Sequence, residues 1–158
     1  MTQKMVNIEE RKIWVPGNRK DPYLAFNFFV EIDGIVVAGF TDVSGLSIET
    51  QIEKKTFGGE NHREYVFINQ TKYTDITLKH GVTSDEYLWN WYQKVINGHV
   101  ERHNGSVCLL DDMGNPKVWW DFVEAFPYKW EGPVFSSTSN AVAAETLVLT
   151  HNGIRMHK

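Results

Sequence analysis

Phe26-Asn27-Phe28-Phe29-Val30-Glu31-Ile32-Asp33-Gly34-Ile35-Val36-Val37 decides the fold class. Phe26, Phe28, Val30 and Ile32 alternate with Asn27, Glu31 and Asp33, a period of two built from residues that favour extended backbone. Asp33-Gly34 is a two-residue hairpin turn, because a type I′ turn needs positive φ at both central positions. Ile35 to Phe40 supplies the return strand, and Ser44-Gly45 breaks the chain. Working outward, Leu46 to Phe57 alternates again. Ile48 and Ile52 share one face there, and Glu49, Gln51, Glu53 and Lys55 share the other. A long loop is read over Phe57–Asn69, with a strand over Glu64–Ile68, and a further strand over Tyr73–His80. Ile76 and Leu78 of that last strand oppose Asp75, Thr77 and Lys79. Ser106–Leu110, Lys117–Phe126 and about Ala143–His151 complete the strands. Pro127 and Pro133 bracket a loop through Ser136-Ser137-Thr138-Ser139.

One helix interrupts this pattern, expected over about residues 84–97. Thr83 and Glu86 fit a capping box, and Leu88, Trp91, Tyr92 and Val95 follow at i, i+3, i+4 and i+7. Asn97-Gly98 ends it. The chain is therefore mainly β, antiparallel, with one packed helix. Its 158 residues suit one domain, expected over 21–158 behind an arm of residues 1–20. Hydrophobic residues at 42% and charged residues at 23% describe a globular chain. The single Cys108 excludes an internal disulfide framework. No apolar run reaches the length of a membrane span, and the basic N-terminus lacks a signal-peptide core.

The net charge of −4 speaks against a protein built to grip nucleic-acid backbone. The charge is uneven. Residues 1–20 hold five Lys/Arg against two Glu, and residues 21–158 hold 11 Lys/Arg against 18 Asp/Glu, so a +3 arm precedes a −7 body. Arg11, Lys12 and Arg19 flank Ile13-Trp14-Val15, an apolar anchor just before Pro16-Gly17. Two readings fit this composition: a frayed terminus, as termini usually are, or a tether that orders against an acidic neighbour.

The residues ask for little chemistry. His99 and His103 stand four apart, but Gly98 has already ended the helix, so polar loop residues account for them better than a metal site does. Asp111-Asp112 before Gly114-Asn115 lacks the ligand ladder of a calcium loop and reads as a turn. Gly58-Gly59 lacks the Gly-Lys-Ser/Thr of a phosphate cradle, no Gly-x-Ser-x-Gly elbow occurs, and Cys108 sits in an apolar strand. No catalytic, cofactor or metal residue is assigned, and an enzyme is not expected. Six Trp, six Tyr and nine Phe exceed the needs of one small core, and surplus aromatics mark interfaces. A monomeric β-domain that binds a carbohydrate or other ligand through surface Trp, at Trp89/Trp91 or Trp119-Trp120, is the alternative of another class.

Four stretches then carry a resemblance. They are Asp21-Pro22-Tyr23 through Phe26-Asn27-Phe28 into Val30–Gly34; Gly58-Gly59-Glu60-Asn61 with Gln70–Tyr73 and Ile76–Thr83; Leu88-Trp89-x-Trp91; and Ala125-Phe126-Pro127 through Trp130-Glu131-Gly132-Pro133, closed by Glu145–His151 and Gly153. In this order and spacing, over about residues 21 to 155, the chain resembles the contractile-tail tube family: phage tail-tube proteins and inner-tube proteins of phage-tail-like contractile injection systems. One departure stands out, since Ile68-Asn69 replaces a Leu-Pro-Gly turn frequent in the family.

The resemblance implies a tail-tube-type β-barrel or sandwich whose strands join between subunits of a hexameric ring, without catalysis or cofactor. Rings stack into a tube, a sheath contracts around it, and baseplate and spike components terminate it. Cargo protein or DNA passes along the lumen without specific binding, and no membrane is engaged in the resting particle. The implied location is a virion tail, or a particle assembled in the bacterial cytoplasm and then released or envelope-anchored. Glu49, Gln51, Glu53, Lys55, Asp75, Thr77 and Lys79 are the lumen-facing candidates, expected to make an acidic wall. Gly58, Gly59, Glu60, Asn61, His62 and Arg63 are the inter-ring loop candidates. Arg11, Lys12, Trp14 and Arg19 are the arm's interface candidates, and the long arm raises a tube-initiator ring as an alternative role.

The arm reading has a direct test. Exposed charge pairs contribute little compared with a covered Trp. Trp14→Ala is therefore expected to lower assembly yield more than Arg11→Ala, and a chain beginning at Asp21 should assemble least at physiological salt. Equal yields from the shortened and full chains would reduce the arm to a frayed end.

Overall fold

The structure is a computed structural model that describes residues 22–25, 27–37, 39–59 and 62–158. Among the described residues, ten strands and one helix follow in chain order: β1 (Phe28–Ile32), β2 (Ile35–Val37), β3 (Phe40–Ser44), β4 (Ile48–Lys55), β5 (Tyr65–Tyr73), β6 (Ile76–Gly81), α1 (Tyr87–Ile96), β7 (His103–Leu110), β8 (Pro116–Glu131), β9 (Ala144–Thr150) and β10 (Gly153–His157). All strand pairs are antiparallel. The main sheet runs β2-β1-β7-β8-β9-β6-β3 with β10 beside β8, and β4-β5 form a separate two-stranded sheet.

The Asp33-Gly34 turn forms as the sequence requires, with φ of 52° and 77°. The return strand is shorter than expected. It ends at Val37, Gly39 takes φ 86°, and Phe40–Ser44 leaves to pair with β6 instead of β1. A single expected strand thus serves two parts of the sheet.

Strand β8 organises the rest. Its first half lies between β7 and β10, and its second half pairs with β9. The change of partner occurs at Glu124, which adopts φ 52°, and the register with β7 shifts between His103 and Gly105. The Asn104 side-chain oxygen accepts the Glu124 N–H at 2.9 Å, and the Asn152 side chain donates to the Glu124 carboxylate. Pro127 lies inside β8 instead of ending it. The register with β9 shifts between Pro127 and Lys129, so the missing N–H falls where the ladder is already interrupted. The loop expected from Pro127 begins only at Gly132.

The bent sheet encloses one core. Val30, Ile32, Val107 and Phe122 of one half meet Ile76, Leu78, Leu147 and Leu149 of the other, and α1 adds Leu88 and Trp91. Burying such side chains contributes about 1.5–3 kcal/mol each. The one buried polar side chain among the described residues, His80, is satisfied by the Glu145 carboxylate at 2.9 Å and the Gly81 carbonyl at 2.9 Å, and Trp130 Nε1 donates to Glu145 at 3.2 Å.

The helix begins later than its sequence suggests. Asp85 N–H donates to Thr83 Oγ1 and Tyr87 N–H donates to Asp85 Oδ1, so two side-chain turns occupy residues 83–86 and no capping box forms. Its C-terminal end is as read, with Asn97 as C-cap and Gly98 at φ 85°.

Gly45 is required by close approach as well as by conformation. It has φ 90°, and a Cβ there would lie 1.9 Å from the Asp75 carbonyl oxygen. Gly114 has φ 82° but open space around it. Gly114→Ala should therefore lower stability by about 1 kcal/mol, and Gly45→Ala by at least about 2 kcal/mol. Denaturant unfolding of the unassembled subunit measures the difference, and equal losses would contradict the packing described.

Candidate functional site

The feature with no role inside the fold is the β4–β5 hairpin. Every residue of both strands is solvent-exposed, and neither strand pairs with the main sheet. Its base is fixed. Thr74 N–H donates to the Ser47 carbonyl at 3.1 Å, His151 Nε2 lies 2.8 Å from the Thr74 carbonyl, and the His151 ring meets Tyr73 edge-on.

Cross-strand partners share a face, so the register assigns the two sides. Ile48 opposes Tyr73, Thr50 opposes Thr71, Ile52 opposes Ile68 and Lys54 opposes Val66. This side is apolar apart from Lys54 and the Thr50–Thr71 hydroxyl pair, which are 3.0 Å apart. The other side sets Glu49 opposite Lys72, Glu53 opposite Phe67 and Lys55 opposite Tyr65. Between Thr50 and Ile52 the partner strand advances three residues instead of two, so Asn69-Gln70 form a bulge.

That bulge extends the strand read over Glu64–Ile68. Ile68-Asn69, which stands where the family often has a Leu-Pro-Gly turn, lies inside β5. Gln70-Thr71-Lys72 continues that strand. The connecting loop is residues 56–64, shorter than Phe57–Asn69. The reason is local: a bulge absorbs one extra residue while the ladder goes on, so a polar Asn-Gln pair need not end a strand.

The lumen-facing candidates divide. Glu49, Gln51, Glu53 and Lys55 share the polar side of the hairpin. Thr77 and Lys79 lie on the outward side of β6, where their neighbours are Val148 and Thr146 on β9 and then Lys129 and Glu131 on β8. Asp75 precedes β6 and accepts the Tyr128 hydroxyl at 2.7 Å, a bond that raises the phenol's pKa. One subunit therefore does not bring these residues onto a single wall. Neither surface is acidic: Glu49 faces Lys72, Glu53 pairs with Lys55 at 3.3 Å, and Lys129 pairs with Glu131 at 2.6 Å.

Among the inter-ring candidates, Gly58, Gly59, His62 and Arg63 lie at the hairpin tip, where Gly59 has φ 110°. Glu60 and Asn61 lie outside the described residues, as do Arg11, Lys12, Trp14 and Arg19 of the arm.

The tryptophans are engaged within the fold, whereas Phe57, Phe67, Tyr73 and Phe135 are exposed. Trp91 is buried and its Nε1 donates to the Glu101 carbonyl at 2.9 Å. Trp89 packs edge-on against Trp130 at 4.8 Å, and Trp119 stacks on His157 and meets Phe29 edge-on. His103 is held by the Asp33 carboxylate and meets the Trp91 ring at a tilt, and burial pushes the Cys108 thiol pKa up. Among the described residues no three His, Cys, Asp or Glu side chains cluster as metal ligands.

Sequence reasoning missed two surfaces. Strand β10 closes the far side of β8. The loop of residues 132–143 leaves Val134, Phe135 and Val142 more than 80% exposed. The available signal was charge: from Gly132 to Ala144 the chain holds no ionisable residue.

Residues 24–155 match the family model described as T4-like virus tail tube protein gp19. The chain belongs to this tail-tube family. No curated protein matches the chain at a comparable level. Among solved structures, the chain is similar to one in the sheath/tube terminator of the extracellular contractile injection system PVC in its extended state. That match has 26% identity and a TM-score of 0.81, over 88% of this chain and 99% of the other. It is also similar to a chain in the PVC sheath-tube complex, with 27% identity and a TM-score of 0.78 over 86% and 91%. A third is in the anti-feeding prophage cap, with 25% identity and a TM-score of 0.80 over 88% and 93%. The tail-tube fold of this chain thus carries a structural, tube-type role in a contractile tail.

Because the tip of the tail-tube hairpin is apart from the core, deleting Gly59–His62 should leave the melting temperature of the unassembled subunit unchanged within a few degrees. A large drop, measured by circular dichroism, would show that the tip supports the fold.

Proposed function

We propose that this chain is the repeating inner-tube subunit of a contractile tail or injection system, assembled as hexameric rings stacked around a lumen. The observation that carries the reading is the exposed β4–β5 hairpin. An isolated two-stranded ribbon is marginal in water, and this one leaves Ile48, Ile52, Val66 and Ile68 all more than half exposed. Such a ribbon is stabilised when another chain covers it. Membership of the tail-tube family and the likeness to a chain of a sheath-tube complex support the same reading.

In this reading the outer edges of β2, β3 and β10 join neighbouring subunits, which removes unpaired backbone that a single chain would leave open. Residues 21–158 form the tube domain, and the basic arm of residues 1–20 lies against an acidic neighbour with Trp14 covered. The hairpin tip reaches an adjacent ring. The outward side of β6, β8 and β9, with Thr77 and Lys79, lines the lumen. Its balanced charges and short hydroxyl side chains offer no fixed grip, so cargo protein or DNA slides past. A sheath surrounds the tube, baseplate and spike components end it, and the particle is built in the cytoplasm before use. The subunit contributes rigidity and a channel, with no catalytic step.

Negative-stain images of the purified chain provide the test. Stacked tubes are expected. Single rings that never stack would point to the initiator role, and monomers would overturn the proposal. Hydrogen exchange on the assembly should show protected amides over both 48–55 and 65–73, while the free subunit exchanges there quickly. Fast exchange of both segments inside an intact tube would contradict coverage of the hairpin by another chain.

A further inference from the structure

A cavity of about 370 Å³ opens beside the core, where β1, β7 and β8 face β3. One wall is Phe28 of β1, Val107 and Leu109 of β7 and Trp120 of β8. The other is Val43 of β3 with Leu46 just after it. Phe28 opposes Leu109 and Val107 opposes Trp120 in the strand registers, so these four side chains share one face. All but Val107 of the six are only partly buried. Among the described residues the lining carries one charge, Asp42, whose carboxylate accepts the Thr41 hydroxyl at 3.2 Å.

Tyr23 and Ala25 also line this cavity, so the chain arrives at its rim directly after the arm. Residues 1–21 lie outside the described residues. Trp14 is the one aromatic residue among them, with Ile13 and Val15 on either side. It precedes Tyr23 by nine positions. That is a reach of at most about 30 Å, ample for a return to a cavity that Tyr23 itself borders. Pro16-Gly17, between the two, suits a reversal of direction. A segment tethered so closely meets the site at an effective concentration on the order of millimolar, which favours it over a free occupant. The arm's charge of +3 also complements the carboxylate on the rim.

We propose that Trp14, with Ile13 and Val15, seats in this cavity of its own chain and anchors the arm to the tube domain. The inference rests on the arm reading above and names what covers Trp14. Removal of the indole and of the cavity walls from water drives the contact. A buried indole keeps its N–H satisfied, and the Thr41 hydroxyl and the Asp42 carboxylate are the side-chain acceptors on the lining. Anchored at this point, the arm holds Arg11 and Lys12 close to the subunit surface, where a neighbour meets them.

A cysteine pair tests this on the full chain. Val15→Cys with Thr41→Cys puts one thiol beside the anchor and one on the rim, while the native Cys108 is buried. Mild oxidation should link positions 15 and 41 within one chain. The readout is a monomer band on a denaturing gel and the linked peptide by mass spectrometry. Adding Trp14→Ala to the pair should slow the linkage at least about tenfold, and Trp14→Phe should restore most of the rate. A link between two chains would overturn the proposal and leave the arm on a neighbour instead. No link at all, or equal rates with and without the Trp14 side chain, would also overturn it. So would equally fast closure of Val15→Cys with His62→Cys at the hairpin tip. The readout needs no tubes, so failure of the tube reading would show separately in the stained images.

Discussion

The bend in β8 at Glu124 is the constraint on which the fold depends. A 16-residue strand serves both halves of the sheet, and it does so by placing one non-glycine residue at φ 52°. That conformation is unfavourable for an L-residue by about 1–2 kcal/mol. Asn104 from the start of β7 and Asn152 from the β9–β10 turn hold it by hydrogen bonds to the Glu124 backbone and carboxylate. With the bend in place, Phe122 and Ala125 on either side of it are fully buried. The two halves then face one another across Val30, Ile32, Leu147 and Leu149, and α1 covers the side with Leu88 and Trp91.

Closing the core in this way leaves the hairpin outside. Gly45 lets the chain pass against the Asp75 carbonyl, and β4 and β5 then run beyond the sheet. The core therefore gains nothing from the aliphatic residues of the hairpin, and their exposure is a cost carried by the free subunit. The same division appears at the opposite end of the sheet, where Val134, Phe135 and Val142 are outward instead of buried. The subunit thus keeps a complete small core and still presents apolar surface at both ends of β6 and β9. Its aromatic residues mostly brace the fold, as Trp89 on Trp130 and Trp119 on His157 illustrate. Its charges sit in local pairs, as Lys94 with Glu101 and Lys129 with Glu131 illustrate.

The sequence by itself determined the local geometry. Asp33-Gly34 dictates its turn because positive φ at two successive residues suits few other pairs. The stripe of Leu88 and Trp91 dictates which side of α1 is buried, and the alternation around Ile76 and Leu78 dictates the inward side of β6. The tail-tube resemblance was carried by the order of several such short stretches. Partners were decided only by the tertiary structure. Period-two alternation says which way a side chain points and nothing about which strand lies beside it. So Phe40–Ser44 could leave β2 for β6, and Asn69-Gln70 could become a bulge inside β5. Pro127 could sit within β8 because the ladder was already broken there, and Gly153–His157 could add itself to β8 with little pattern of its own. Exposure of the hairpin and of residues 132–143 belongs to the same class. Ile52, Ile68 and Phe135 read as core residues in a sequence, and they remain on the surface because the bend in β8 completes the core without them.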